Sequence, residues 1–178
     1  MNTLYLQCNM GAAGDMLTAA LYELLPNREE FLHTLNHMGL PGVEFHALPA
    51  QSCGISGTHM DVVVHGEREE SLDHHHNNDN DHDHHHHHDH EHEHGHEHHH
   101  HHHHHTTLHD VEHLIGHLNL PAPVLELARA VYHRLAQAES KAHGVEVDLV
   151  HFHEVGALDA VADVAAACYA LYLSLIHI

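Results

Sequence analysis

Val43-Glu44-Phe45-His46-Ala47 and Met60-Asp61-Val62-Val63-Val64 stand on either side of the loop Ser52-Cys53-Gly54-Ile55-Ser56-Gly57. Val43, Phe45 and Ala47 alternate with polar neighbours, and Met60, Val62 and Val64 repeat the same period, which predicts two half-buried strands. Upstream the period is helical. Met16, Leu17, Ala20, Leu21, Leu24 and Leu25 recur on one face until Pro26 ends the run. Asn27 with Glu30 three residues later predicts a capping box, and the helix it opens turns Phe31, Leu32, Leu35 and Met38 inward before a left-handed cap at Gly39. Ahead of these, the apolar run Leu4-Tyr5-Leu6 predicts a short buried strand over Thr3–Leu6, which feeds the Gly-rich turn Asn9–Asp15. The order βααββ predicts an α/β domain of two layers, short strands against packed helices.

Downstream, Thr106 or Thr107 can cap a helix carrying Leu108, Val111, Leu114, Ile115 and Leu118. Pro123 then suits the first turn of a longer helix reaching about His143, with Val124, Leu127, Ala128, Val131, Leu135, Ala138 and Ala142 on one stripe and Gly144 closing it. Val145, Val147 and Leu149 alternate into Val150-His151-Phe152-His153-Glu154-Val155-Gly156, and a small, apolar helix runs from Ala157 through Leu171.

The chain has 178 residues, 34 of them His, with 26 Asp plus Glu against five Lys plus Arg, a formal charge of −21. A nucleic-acid binder needs clustered cations to displace counterions, and an anionic membrane surface attracts them, so both partners are excluded by charge. No apolar run is long enough for a membrane span, and the first residues lack the basic start and apolar stretch of a secretory leader. Cys8, Cys53 and Cys168 are scattered and odd in number, which fits a reducing cytoplasm rather than a disulfide framework. His74 to His105 holds 21 of the histidines in 32 positions, interleaved with Asp and Glu and without one apolar side chain. Such a tract cannot offset its ordering entropy by burial and is expected to be a disordered insert.

Three groups of residues could carry chemistry. Neutral imidazole is the commonest ligand for nickel, zinc, copper and cobalt, so the tract, represented by His84, His86, His88, His98, His100 and His102, is expected to bind several cations. A slack linker with incidental affinity is the plainer alternative. The second group is His151, His153, Glu154, Asp159 and Asp163. In an extended segment His151 and His153 share one face, and Asp159 and Asp163, four apart, share one face of the next helix, which makes a divalent-cation site of His151, His153, Asp159 and Asp163. A solvated acidic face beside a satisfied histidine is the alternative. The third is Gly11-Ala12-Ala13-Gly14-Asp15, where Gly11 and Gly14 could let a ligand approach the backbone at a helix N-terminus. Asp15 there holds a metal or merely caps the helix. Neither the P-loop nor the dinucleotide fingerprint is present.

Taken in order, Leu4-Tyr5-Leu6-x-Cys8-x-Met10-Gly11-Ala12-Ala13-Gly14-Asp15-Met16-Leu17, the central His-rich tract, and His151-Phe152-His153-Glu154-Val155-Gly156-Ala157-x-Asp159-Ala160-x-Ala162-Asp163 resemble the LarC-type nickel-insertion proteins. The resemblance runs from Met1 to about Leu171 and implies the N-terminal half of such a protein. It implies insertion of nickel into pyridinium-3,5-bisthiocarboxylic acid mononucleotide, with formation of nickel–carbon and nickel–sulfur bonds, to give the nickel-pincer cofactor of lactate racemase-type enzymes. It further implies a lyase-class chelatase or cyclometallase that hydrolyses CTP with Mg or Mn through its C-terminal half, a partner this chain would need. Asp15, His151, His153, Glu154, Asp159 and Asp163 match the family pattern, and Asp15, His153, Glu154 and Asp159 are taken as the catalytic candidates. Gln7 departs from the acidic residue usual in the family, and Tyr172–Ile178 does not continue as the family does.

The expected organisation is therefore a βααββ part over 1–72, a metal-binding insert over 73–105, a helical part over 106–171, and a truncated or non-native end over 172–178. A non-enzymatic nickel store or metallochaperone is the competing function. The oligomeric state, single chain or homo-oligomer, is left open.

Overall fold

In the computed structural model, residues 4–7, 9, 11–68, 106–152 and 155–174 are described. Expectations placed on Cys8, Met10, the tract over 73–105, His153, Glu154 and the last four residues lie outside them. The described residues belong to one unit built from both ends of the chain, Met1–Glu69 and His105–Ile178.

Alternation over 43–64 produces a long antiparallel hairpin, β1 (Val43–Ser52) against β2 (Ile55–Val64), with Val43 opposite Val64 and Ser52 opposite Ile55. The six-residue loop expected over 52–57 is only the two-residue turn Cys53-Gly54. Both residues take positive φ, +50° and +80°, the primed turn whose twist matches paired strands. A two-residue strand, β3 (Glu67–Arg68), extends this sheet along β2.

One hairpin face is covered by helices. α1 (Gly14–Tyr22) and α2 (Arg28–Asn36) pack on β2 and β1, and α5 (Leu158–Leu173) reaches both strands. The Asn36 side chain acts as a surrogate strand edge: its amide donates to Phe45 O and its carbonyl accepts from Phe45 N, at 3.1 and 2.7 Å. Phe31, buried, stacks on Tyr169 with centroids 5.5 Å apart. On its other side α5 meets α3 (Leu108–Gly116) and α4 (Ala122–His143). It can serve both sides because Ala162, Ala165, Ala166 and Ala170 are buried and short enough to let neighbours close in. The α/β class read from the sequence is thus the class of the fold.

Several local expectations are corrected. Among the described residues Leu4–Gln7 forms no ladder; Leu4 packs against the core, while Tyr5, with no strand beside it, is 82% exposed. Met16 and Leu24 face outward, while Thr18, Leu21 and Leu25 fill the interior, because the buried face of α1 is set by α5 and β2 rather than by maximal apolarity. Asn27 is the N-cap of α2, but its amide binds the Glu30 carboxylate and no backbone cap bond forms. Along α4 the inward row is Val124, Ala128, Tyr132 and Ala136, whereas Leu127 and Ala138 lie outside. Val147–Leu149 is a 3₁₀ turn rather than strand. Strand pairing is confined to β5 (His151–Phe152), which meets β4 (Thr106–Thr107).

Other expectations hold. Thr107 caps α3 in a full capping box with Asp110, α4 ends at Gly144 with φ +68°, and α5 opens after Ala157.

Candidate functional site

The Gly11–Asp15 turn and the Asp159/Asp163 pair come from opposite ends of the chain and meet where α1 begins. The first N–H groups of a helix have no internal partner. Here the backbone N–H of Asp15 donates to Asp163 Oδ2 at 3.1 Å, across 148 residues of sequence. A carboxylate at that position also faces the positive end of the α1 dipole. Gly14 makes the contact possible, since a Cβ there would lie 2.5 Å from Asp163 Cβ and 2.7 Å from its Oδ2. The space a phosphate would need beside Gly14 is therefore filled by a carboxylate, and these residues do not fit a nucleotide phosphate. Gly11 has φ +83° with open space around its Cα, so it shapes the turn without a close neighbour. Asp15 itself is half-buried in the first turn. One turn further on, the fully buried Thr18 hydroxyl has no hydrogen-bond partner among the described residues.

Asp159 and Asp163 are both half-buried, one turn apart on α5, and both act on Tyr132 of α4. Burial first, then the charges of Asp159 and Asp163, push the Tyr132 phenol well above its ordinary range, so it stays a neutral donor. Its hydroxyl donates to Val155 O at 2.9 Å and its ring meets Phe152 edge-on at 5.8 Å. Gly156 is equally constrained, because a Cβ there would lie 2.8 Å from both Phe152 Cβ and Thr106 Cβ. Tyr132 and Gly156 thereby fix the segment leading into α5. Sequence reasoning passed over Tyr132; its signal was the row Val124, Ala128, Tyr132, Ala136 at intervals of four, with a polar tip on an otherwise apolar face.

On the sheet side, an open cleft of about 360 Å³ is lined by Val62, Val64, His65, Glu67, Ala157, Leu158 and Asp159. Four of its lining residues, Val62, Val64, Ala157 and Leu158, are aliphatic, and two carboxylates and one imidazole stand among the rest. His65 and Glu67 were also passed over, since each is an isolated polar residue at a strand end. His65 sits at φ +54°, where its ring lies over Gly42 and its N–H donates to Gly42 O at 2.7 Å.

His151 is exposed on β5 while its neighbour Phe152 is buried. Among the described residues no three His, Cys, Asp or Glu side chains stand together in an arrangement that could hold a metal, so His151 does not join Asp159 and Asp163 in such a set. His153 and Glu154, and the tract histidines His84, His86, His88, His98, His100 and His102, lie outside the described residues. Cys53 is exposed at the hairpin turn, and Cys168 is buried in α5, where loss of solvent pushes its thiol up to about 11. No helix among the described residues is long and apolar enough to cross a membrane.

Fold and site thus define an α/β protein whose N-terminal glycine turn is locked onto an acidic helix beside a carboxylate-bearing cleft. The chain belongs to the nickel insertion protein family, whose model, described as nickel insertion protein, matches residues 4–177. Three similar proteins are all named pyridinium-3,5-bisthiocarboxylic acid mononucleotide nickel insertion protein. That of Alkaliphilus metalliredigens is 36% identical over 170 residues, covering 96% of this chain and 36% of its own length. That of Clostridium acetobutylicum is 40% identical over 168 residues, 94% of this chain and 40% of the relative. That of Lactiplantibacillus plantarum is 36% identical over 174 residues, 97% and 38%. The chain spans between a third and two fifths of the length of these relatives. No solved structure matches it.

Proposed function

We propose that this chain is the N-terminal part of a cytoplasmic nickel insertion enzyme that places nickel into pyridinium-3,5-bisthiocarboxylic acid mononucleotide, the molecule for which its relatives are named. The observation that carries the reading is the Asp15 N–H to Asp163 bond, because it joins the two motifs that resemble the family into one locality. The product would be the nickel-pincer cofactor of lactate racemase-type enzymes. The reaction would be that of a lyase-class cyclometallase, incomplete without a C-terminal half that supplies CTP hydrolysis with Mg or Mn. The carboxylate beside Gly14 argues for keeping CTP with that remaining half.

In this reading the cleft receives the pyridinium. Val62, Val64 and Leu158 offer an apolar floor to a flat ring, and the Glu67 and Asp159 carboxylates complement its positive charge. Asp159, with His153 and Glu154 from the adjoining segment, would bind the incoming nickel ion and take up the proton released when the ring carbon is metallated. Asp163 and Gly14 hold α1 in register through the Asp15 N–H, and Tyr132 keeps the segment after Glu154 in place by its bond to Val155 O. The His-rich tract over 73–105 gathers nickel and feeds the folded part.

Asp159→Asn in the complete protein should lower the rate of nickel incorporation about 10- to 100-fold while leaving the melting temperature nearly unchanged. Incorporation at the parent rate would remove Asp159 from the chemistry. A non-enzymatic nickel store, the reading favoured by the density of the tract alone, would bind nickel equally well with either residue and would never yield the metallated product.

A further inference from the structure

Two helices outside this locality end in the same way. α2 closes on His33-Thr34-Leu35-Asn36-His37 and α3 on His113-Leu114-Ile115-Gly116-His117, with His37 and His117 as the C-cap residues. Side chains four apart in a helix lie one above the other, and the rings meet accordingly, with centroids 4.2 Å apart in the first pair and 4.3 Å in the second. In each pair the Nδ1 of the second ring lies 2.7 Å from the backbone carbonyl of the first histidine. A carbonyl oxygen only accepts, so this Nδ1 carries the proton and Nε2 of the neutral ring keeps its lone pair. That is the second-sphere bond that orients a histidine for metal ligation.

Both pairs are exposed to solvent on polar helix faces, save that their helices turn Phe31, Leu35, Val111 and Ile115 inward. Both also sit at helix C-termini, where the unpaired carbonyls favour a cation. The two ends are tied together, since Asn119 N–H donates to Met38 O at 2.7 Å and the space beside Gly39 is bounded by His117 O. We propose that His33 with His37, and His113 with His117, form two adjacent bis-imidazole chelates for a borderline divalent cation of the nickel, copper or zinc type. The rings lie stacked at 15° in the first pair and tilted at 42° in the second, so the first ring of each pair must turn about its side-chain torsions to bring both Nε2 atoms onto one ion. The two then fill two coordination positions and leave the others to water, so the ion is held openly and can be passed on. None of these four histidines belongs to the tract or lines the cleft, and their existence does not depend on the insertion chemistry proposed above.

The test must see these four rings in a chain that has 34 histidines. Stability does so. Metal bound by a tract that binds it folded or unfolded cancels from the folding equilibrium, whereas a chelate made by helical spacing exists only in the folded state. Urea unfolding of the full chain is measured without metal, with NiCl2 and with MgCl2, for the parent, His37→Gln, His117→Gln and the double variant, with His59→Gln on β2 as a control for loss of one imidazole. NiCl2 at 100 times the dissociation constant should raise the parent's folding equilibrium constant about 100-fold for each pair, and MgCl2 should leave it unchanged. Each single variant should lose one pair's share and the double variant all of it, with metal-free stability preserved and His59→Gln behaving as the parent. A parent that gains no stability from nickel, or a double variant that keeps the gain, overturns the assignment. Neither result touches the insertion reaction, which is read by product formation.

Discussion

Gly14 and Asp163 show how a single missing carbon organises the N-terminus. A methyl group at Gly14 would need the Asp163 side chain to move by about an ångström, and that side chain is fixed on α5 while its carboxylate holds the Asp15 N–H. Gly14→Ala is expected to destabilise the fold by about 1–3 kcal/mol, the usual cost of overpacking, as a lowered urea midpoint. Gly11→Ala meets no neighbour but must adopt φ +83°, so it should cost less. A Gly14→Ala variant as stable as the parent would show that the two helices can part freely. From the sequence this glycine read as room for a ligand, because a strand–turn–helix pattern cannot reveal that a carboxylate from far along the chain has taken the place. The pair Asp159 and Asp163 was legible, because a spacing of four survives in any helix. Tyr132 was not, because its contribution comes from which face α5 covers.

At the scale of elements, the hairpin and the caps were the best-written parts of the sequence. Alternation fixed the facing residues of β1 and β2 even though the turn is tighter than its glycines suggested. The opening apolar run misled for the opposite reason: three apolar residues make a strand only where another strand offers its edge. The capping box of α3 gives a prediction with a sign. Hydrogen bonds from the Thr107 hydroxyl and backbone, then weaker attraction to His109 and His113, hold the Asp110 carboxyl below its ordinary value against a small opposing desolvation. Its folded pKa is thus depressed, so its contribution is present above the unfolded value and is lost as pH falls through the folded one. Thr107→Ala should cost about 1 kcal/mol near neutrality, and the difference from the parent should shrink below about pH 4. Paired denaturant curves at pH 7 and pH 3 measure both, and a difference that stays constant with pH would detach Asp110 from the cap.

For the whole molecule, the residues bordering the His-rich segment are each held by a different sheet, Glu67–Arg68 by β2 and Thr106–Thr107 by β5. The segment is therefore expected to matter to the folded part only through its length. Replacing residues 73–105 by a flexible Gly-Ser linker of about ten residues should change stability by no more than about 1 kcal/mol, since closure entropy varies with the logarithm of length. In the complete protein, nickel incorporation should then persist at abundant nickel and fail when the ion is scarce. Incorporation lost at every nickel concentration would instead make the segment part of the reacting site. The sharing of α5 between the hairpin and the α3–α4 pair could not be read from any local pattern, being a matter of which short side chains let two neighbours approach at once.

The bond between Asp15 and Asp163 also has a temporal side. During synthesis α1 leaves the ribosome well before its partner, since the carboxylate that receives its free N–H and fills the hollow at Gly14 is translated 148 residues later. At about 5–20 residues per second, that leaves the nascent N-terminal helix unanchored for roughly 7–30 seconds. Its residues Ala19 and Leu21, buried in the finished fold, stay uncovered by α5 during that interval, which makes it the one in which a chaperone, or a misfolded neighbour, finds its easiest hold on the chain.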